Sequence, residues 1–348
     1  MVTGTEKRLP SRTKEILLFG VSTAILAALI YISGPEKFVE AVSDARLIYL
    51  VPAVILGTSS LLVWSFTWYR VFQRTGIKAG FGDSVKLQLA GGFLNHITPF
   101  GQAGGEPFMA YIISSNTDAS YEKSLSSVLS ADILNILPPF TFVFGGAIYI
   151  LFFHSITSIV IQAVYASIIV LLFGGGIVYL LWFEAGKIEG ALLKTAEKLS
   201  TKTGRGENLV ERLEKRLEKF EDSIGKMGED PVYLVKTIIA IHLGFILEVG
   251  ALALVMYSLG FSPLLSYLYF ILPLADLANT SPTPGGSGTY EFAMAALIVA
   301  VSETVTGFAG GAIALHTALL IGILYRITTY WPGLLLGYIS LNMVQNGK

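Results

Sequence analysis

Two glutamates that follow proline–glycine segments are the residues of this sequence best placed for chemistry. The segments that end at Glu106 and Glu291 both read Thr-Pro-x-Gly-x-x-x-x-Glu, and they begin at Thr98 and Thr283. Proline and glycine interrupt helices and let a backbone approach a ligand closely, so each glutamate is expected near the start of a helix that follows a break. A carboxylate there either complements the helix dipole or, inside a membrane, binds a proton or a headgroup. The sequence leaves both interpretations open.

The composition indicates a helical membrane protein that crosses the bilayer several times. Of the 348 residues, 53% are hydrophobic and only 14% are charged, and the mean hydropathy is +0.64. A soluble globular protein of this length needs more polar surface. A net charge of -1 gives no electrostatic reason to expect nucleic acid, and the absence of cysteine excludes disulfides and thiolate chemistry. The apolar run 16–32 has no cleavage signature and is interpreted as a retained first helix.

Apolar segments of two lengths organise the chain. The long ones, which suffice to span a bilayer, are 15–32, 47–72, 124–153, 158–183, 232–260 and 308–341, the last being either one helix broken near Pro332 or two helices. The short ones lie on either side of the two glycine-rich breaks, at 84–97 and 106–114 and at 264–280 and 289–302. Pieces this short do not span a bilayer singly. Each pair is therefore predicted to form a re-entrant helical hairpin, over 84–114 and 264–302.

The two hairpins belong to an internal repeat. The glutamate segments are 185 residues apart (283 minus 98), and the same shift moves 47–72 and 124–153 onto other apolar segments. We therefore predict an all-α fold with a tail and first helix at 1–46, a first repeat at 47–153 and a second repeat at 232–348. Between the repeats, 154–231 is expected to hold a further transmembrane helix and a cytoplasmic helical connector.

Lysine and arginine predict the orientation. They concentrate in the N-terminal tail and in 70–86, while the turn near 261 has none. The positive-inside rule then places the N-terminus in the cytoplasm of a multi-pass protein of the cell membrane. With this orientation the two hairpins open to opposite faces, so the repeats are expected to be inverted.

Arg326 is the most informative of the other polar residues in apolar segments. A guanidinium within the sequence LLIGILYRITTYW needs a carboxylate or a phosphate, unless it reaches the interface. Asp132 and Asp276 are eligible internal partners, and a hairpin glutamate or a substrate is another. The four scattered histidines provide no pair of metal ligands, and no nucleophile–base arrangement is present. The sequence thus predicts no metal, no cofactor and no enzymatic site.

Three segments carry a resemblance to a known family: Asn95 to Glu106, Pro282 to Glu291, and Leu319 to Gly337. With them the chain resembles the flippase-like family that includes the transmembrane domain of lysylphosphatidylglycerol synthases and many archaeal and bacterial membrane proteins. The resemblance implies functional roles for Asn95, Pro99, Gly101, Gly105, Glu106, Pro284, Gly286, Gly288, Glu291 and Arg326. Where such proteins look to carry Arg-x-x-Asp, this chain has Asp132 and Asn135, so a positive charge there is not carried over. The synthase activity of some relatives resides in a separate soluble domain, so aminoacyl transfer is not expected.

The predicted function is transport of a lipid. Hairpin breaks in inverted repeats are typical of midplane binding sites in transporters that work by alternating access. We expect helix N-termini and Arg326 to contact an anionic headgroup of a phospholipid or polyprenyl-phosphate lipid, with Glu106, Asp132 and Glu291 involved in gating or coupling. The alternatives are a transporter of a small solute or ion, an intramembrane lipid-modifying enzyme, and a scaffold that binds a partner through the connector. Small-residue pairs such as Gly145 and Gly146 allow close helix packing within one chain or in a homodimer.

Overall fold

The described part of the chain is entirely helical in its regular structure. The computed structural model describes residues 34–98, 102–135, 137–153, 230–281, 283–305 and 308–346, with isolated positions between 20 and 31 and between 161 and 176. The prediction of an all-α membrane protein is confirmed. Apart from those isolated positions, the predicted helices 15–32 and 158–183 and the connector 184–231 lie outside the described residues.

The same succession of helices occurs twice. Each half has a long helix, two shorter helices separated by a break, and a final helical segment. The first half contains α1 (Pro35–Asp44), α2 (Leu47–Thr75), α3 (Phe81–Ile97), α4 (Gln102–Asn116), α5 (Tyr121–Asn135) and α6 (Leu137–Phe153). The second half contains α7 (Pro231–Ser258), α8 (Leu265–Asp276), α9 (Thr289–Thr304), α10 (Leu315–Thr328) and α11 (Tyr330–Asn346), with 3-10 turns at Leu277–Thr280 and Pro284–Gly286. We call α3 and α4 hairpin 1, and α8 and α9 hairpin 2.

Four segments of the described chain are long and apolar enough to cross a membrane. They are Leu47–Thr75, Tyr121–Gly146, Pro231–Ser258 and Leu315–Asn346. Each coincides with a predicted spanning segment. The arms of the hairpins are shorter: α3, with 17 residues, is about 25 Å long at 1.5 Å per residue, against about 30 Å for the hydrocarbon core.

A proline separates the last two helices of the chain. A proline clashes with the carbonyl group four residues earlier and lacks the N–H that would continue the helix. Accordingly, α10 ends at Thr328, four residues before Pro332. The last apolar segment is therefore two helices.

The two long helices α2 and α7 pack along each other at the contact between the halves. Small residues permit the approach: a Cβ atom on Gly244 of α7 would lie 3.2 Å from the Trp64 ring of α2. The Glu248 Oε1 atom of α7 accepts hydrogen bonds from Trp64 Nε1 at 3.0 Å and from Ser60 Oγ at 3.2 Å. A buried carboxyl group thus joins α2 to α7.

Each hairpin also packs against the final helix of the opposite half. Helix α3 lies along α11, and α8 lies along α6. Glycines provide the space in both contacts. A Cβ atom on Gly337 of α11 would lie 2.6 Å from the Leu89 carbonyl oxygen of α3, and one on Gly146 of α6 would lie 2.9 Å from the Phe270 ring of α8. Gly146 therefore serves packing within the chain, whereas no atom of the described neighbouring elements lies within 4 Å of the Gly145 Cβ position.

Candidate functional site

The two hairpins meet where the C-terminal end of α3 contacts the break between α8 and α9. Gly285 lies in this break with φ 55°, a left-handed conformation that favours glycine. A Cβ atom on Gly285 would lie 2.7 Å from the His96 carbonyl oxygen of α3 and would overlap the Tyr330 hydroxyl group of α11. The contact thus joins parts of the chain from both halves, and a side chain at Gly285 would separate them.

Arg326 occupies the interior beside this contact and is paired with Glu291. The two side chains are 5% and 4% exposed, and Arg326 Nε lies 3.3 Å from Glu291 Oε1. This contact is an ion pair without an aligned hydrogen bond, since no acceptor satisfies the Nε–H geometry. The guanidinium also donates from Nη2 to the Gly285 carbonyl oxygen at 2.8 Å. Arg326 thereby connects α10 to both the break and the first turn of α9.

Two tyrosines cover the faces of the Arg326 guanidinium. Its Cζ atom lies 3.6 Å from the centroid of the Tyr330 ring and 4.9 Å from that of Tyr290. A cation over an aromatic face is attracted by the ring quadrupole, most strongly when water is excluded. The Tyr330 ring in turn meets the His96 ring edge-on, with centroids 4.6 Å apart. Neither tyrosine was among the candidate residues, although both are close in sequence to a charged residue that was.

Glu291 has a second role as the cap of α9. Its Oε2 atom accepts a hydrogen bond of 2.7 Å from the backbone N–H of Gly288, and Glu291 is the third residue of the helix. This is half of a capping box and places a negative charge at the positive end of the helix dipole. Gly322 of α10 lets the two helices approach, because its Cβ position is 3.3 Å from the Glu291 carbonyl oxygen. Glu291 therefore both caps its helix and pairs with Arg326.

A set of hydroxyl groups satisfies the non-helical backbone of hairpin 2. Thr289 Oγ1 donates to the Gly286 carbonyl oxygen at 2.9 Å. The Ser281 hydroxyl lies 2.7 Å from the Thr289 hydroxyl and 2.8 Å from that of Thr283. Backbone that is not helical survives at membrane depth only when its polar groups are satisfied by protein or by a wet cavity. The threonine and serine hydroxyl groups of this segment provide some of the hydrogen bonds that this backbone needs.

Hairpin 1 is built differently. Helix α4 begins at Gln102 rather than at 106, so Glu106 lies in its second turn and does not cap it. The Glu106 carboxyl group instead reaches that of Asp132 on α5, within hydrogen-bonding distance. Gly105 packs directly on Asn95 of α3, and a Cβ atom there would overlap the Asn95 side chain. The position equivalent to Glu291 thus contacts a second carboxyl group instead of a guanidinium.

Three buried acceptor atoms on α3 and α5 have no hydrogen-bond partner. Among the described residues, they are Asn95 Oδ1, Asp132 Oδ2 and Asn135 Oδ1, and the Ser130 hydroxyl of α5 is likewise buried without a partner. Asn135 lies one helical turn beyond Asp132 on α5, so the two side chains share a face. An acceptor buried without a donor is costly.

The structure places the sequence-derived candidates in two groups. Pro284, Gly286, Gly288, Glu291 and Arg326 lie together in and beside hairpin 2. Asn95, Gly105, Glu106 and Asp132 lie together in hairpin 1 and α5. Pro99 and Gly101 lie outside the described residues. Of the eligible partners for Arg326, the hairpin glutamate is the one within ion-pair distance. Within the described ranges, no three histidine, aspartate or glutamate side chains lie close enough to hold a metal ion.

Comparison with known proteins gives the family. The model of the lysylphosphatidylglycerol synthase transmembrane region matches residues 17–337, which include both hairpins, α5 and the Arg326 helix. The chain belongs to this family. Similar archaeal proteins cover nearly the same length. A UPF0104 membrane protein of Methanothermobacter thermautotrophicus is 26% identical over 80% of this chain and 83% of its own. One of Pyrococcus horikoshii is 22% identical over 93% and 95%, and one of Methanocaldococcus jannaschii is 24% identical over 96% of both chains.

Proposed function

We propose that this protein is a transporter that moves a lipid headgroup between the two leaflets of the cell membrane. The observation that carries the proposal is the contact between the hairpins, where the C-terminal end of α3 meets Gly285 beside the buried Glu291–Arg326 pair. Breaks of this kind, surrounded by buried charge, are typical of transporter binding sites near the bilayer midplane. The role of the hairpins is to expose this region alternately to either side.

The packing between the halves supports an inverted repeat. Helix α3 packs on α11 and α8 packs on α6, as a two-fold relation between the halves requires, and α2 packs on α7. The cluster of lysine and arginine in 70–86 supports a cytoplasmic location for that segment and, with it, for the N-terminus. In this arrangement hairpin 1 enters from the cytoplasmic face and hairpin 2 from the outer face. The same structure can then open to either side.

A lipid is the favoured substrate for two reasons. The family takes its name from the transmembrane region of an enzyme that acts on a phospholipid. In addition, α9 begins at the interior break, where N-terminal N–H groups that now contact Glu291 could instead bind an anion such as a phosphate once that cap opens. We accordingly propose a phospholipid or polyprenyl-phosphate lipid as the substrate, and transport rather than catalysis as the activity.

The test is lipid movement in proteoliposomes. A phospholipid or a polyprenyl phosphate with a nitrobenzoxadiazole label is placed in both leaflets, and dithionite bleaches only the labels that reach the outer leaflet. Wild-type protein should render the inner-leaflet labels accessible, and Arg326→Met should slow this at least about tenfold if the ion pair contributes about 1.4 kcal/mol or more to the transport cycle. Lys86→Met, at an exposed ion pair on α3, is the matched control and should behave as wild type. Bleaching identical to that of protein-free vesicles with both lipids would refute the proposal.

A transporter of an ion or small solute is the second candidate. It is favoured by the close packing in both hairpins, where Gly105 lies against Asn95 and Gly285 against His96. A headgroup with attached acyl chains requires these contacts to open, whereas a small ion requires much less displacement. Accumulation of a radiolabelled ion without movement of labelled lipid would favour this candidate.

A further inference from the structure

The carboxyl groups of Glu106 and Asp132 lie in direct contact. Each appears as the hydrogen-bond partner of the other, across the interface between α4 and α5. Two ionised carboxylates at this distance repel strongly where water is excluded. One proton shared between them converts the repulsion into a short hydrogen bond.

Several polar atoms on the helices next to the pair are buried without a partner. Asn95 Oδ1 and Asn135 Oδ1, like Asp132 Oδ2, are buried without a partner among the described residues. The depth also fits a site inside the membrane. Asp132 follows Lys123 by nine residues on α5, which is about 13 Å along the helix axis and close to half the hydrocarbon thickness of about 30 Å.

The charged side chains on neighbouring helices do not neutralise the carboxyl pair in place of a proton. The elements that pack on α4 and α5 are α2, α3, α6 and α7. Their titratable or charged groups, with those of α4 and α5 themselves, are Tyr49, Tyr69, Arg70, Arg74, Asp83, Lys86, His96, Tyr111, Tyr121, Glu122, Lys123, Tyr149, Tyr233, Lys236, His242, Glu248 and Tyr257.

The cations of this set have other contacts, except Lys236, which is exposed on α7; Arg74 Cζ, for example, lies 5.8 Å from the Tyr233 ring centroid. Arg70 Cζ lies 4.5 Å from the Tyr233 ring centroid, and Lys123 Nζ donates to the Gly76 carbonyl oxygen at 2.7 Å. The His242 Nε2 atom lies 2.6 Å from Thr141 Oγ1, and Lys86 pairs with an aspartate at the exposed start of α3. The nearest histidine in sequence, His96, meets an aromatic ring of α11 edge-on. A proton is therefore the positive charge that the pair itself can hold.

We propose that Glu106 and Asp132 hold one shared proton and that this pair couples hairpin 1 to the proton gradient. The proposal rests on the transport function proposed above and names its coupling site. When the site opens to water, the proton leaves to a water molecule, two carboxylates remain, and their repulsion separates α4 from α5. Rebinding of a proton from either side restores the contact. Glu291 does not take part, because the permanent charge of Arg326 already neutralises it.

Infrared spectroscopy of the protein in lipid films tests the pair without reference to transport. A protonated carboxyl group has a carbonyl-stretching band that shifts in heavy water. Wild type should show this band at neutral pH and lose it at high pH, while Glu106→Gln and Asp132→Asn should each lack that component at neutral pH. Asp83→Asn, at an exposed position on the neighbouring α3, should retain it. If both single variants keep the wild-type band, the shared proton is refuted.

Two further measurements distinguish a proton from a metal cation at the pair, and a site that couples to transport from one that does not. Replacement of Na⁺ by choline at constant pH should leave the spectrum unchanged, and a change would instead assign a metal cation to the site. Lipid movement in the vesicles described above should depend on pH in wild type and lose that dependence in Glu106→Gln. A pH-independent wild type with the infrared band intact would leave a proton site that does not couple to transport. If the single variants do not fold, the double variant Glu106→Gln/Asp132→Asn, which restores an uncharged hydrogen-bonded pair, takes their place and should lack the band.

Discussion

Replacing Arg326 by methionine should destabilise the protein more than any change of a surface charge. Methionine preserves much of the volume of the side chain but removes the charge. Glu291 then remains buried at 4% exposure without its cation, and only the Gly288 N–H still contacts its carboxylate. Breaking a buried pair by removal of one partner costs about 3–5 kcal/mol, because the remaining charge is uncompensated.

The reverse change, Glu291→Gln, should cost less. Glutamine still accepts the capping hydrogen bond from Gly288, because a capping box tolerates either residue. The guanidinium retains its hydrogen bond to the Gly285 carbonyl oxygen and the two tyrosine faces, the latter worth up to about 2 kcal/mol when water is excluded. We therefore expect a loss of about 2 kcal/mol, and a double variant that costs clearly less than the sum of the two single changes.

The measurement is unfolding in mixed micelles with increasing dodecyl sulfate, followed by far-ultraviolet circular dichroism. Lys86→Met is the matched control, since its ion pair with Asp83 is 3.4 Å long but the side chains are 50% and 64% exposed. Such a pair contributes no more than about 1 kcal/mol. The reasoning is wrong if Arg326→Met costs no more than this control, or if the costs of the two single changes simply add.

Three further predictions concern other parts of the fold. Gly105→Ala should lower the free energy of unfolding in the same assay, because the new methyl group overlaps Asn95, whereas Gly145→Ala, with open space around it, should not. Glu248→Ala should cost about 1–3 kcal/mol by leaving the half-buried Trp64 indole N–H of α2 without its acceptor, while Ser60 Oγ keeps the Gly57 carbonyl oxygen, and no loss would mean that the carboxyl does not join α2 to α7. Asp230→Ala should destabilise α7 at neutral pH, since Asp230 Oδ1 accepts the backbone N–H groups of its first turn at 3.0 Å. Those hydrogen bonds lower the pKa of this exposed carboxyl, so the advantage of wild type over the variant should persist above about pH 4 and vanish as the pH falls further.

The order of the helices follows from the sequence, but their ends do not. Hydropathy gave the apolar segment 264–280, whereas helix α8 ends at Asp276 and a 3-10 turn follows. Hydropathy does not distinguish an α-helix from a 3-10 turn. The turn is stabilised by local polar contacts instead, since Thr280 Oγ1 donates to the Leu277 carbonyl oxygen at 2.7 Å and Asn279 bonds back to Asp276. Such short-range bonds compete with the helix.

The pairing of Arg326 could not be chosen from the sequence. Asp132, Asp276 and Glu291 were all eligible, and all lie in different helices from Arg326. The choice depends on how closely α10 and α9 approach, and Gly322 determines that distance. The sequence also could not predict that Glu106 contacts Asp132 rather than capping its helix. That outcome depends on α4 beginning four residues earlier than the apolar pattern indicates.

The two halves neutralise equivalent glutamates by different means, and this difference limits what each can do. Arg326 is already contacted by Glu291, by the Gly285 carbonyl oxygen and by two aromatic faces, so an anionic headgroup reaches it only by displacing Glu291. The cost of several kcal/mol for opening a buried pair makes hairpin 2 the less mobile of the two. Hairpin 1 has no such permanent charge, because Glu106 meets Asp132 instead. With the shared proton proposed above, loss of that proton turns the attraction into repulsion. Alternation between the faces would therefore begin at hairpin 1, with the Arg326 pair as the fixed part against which it moves.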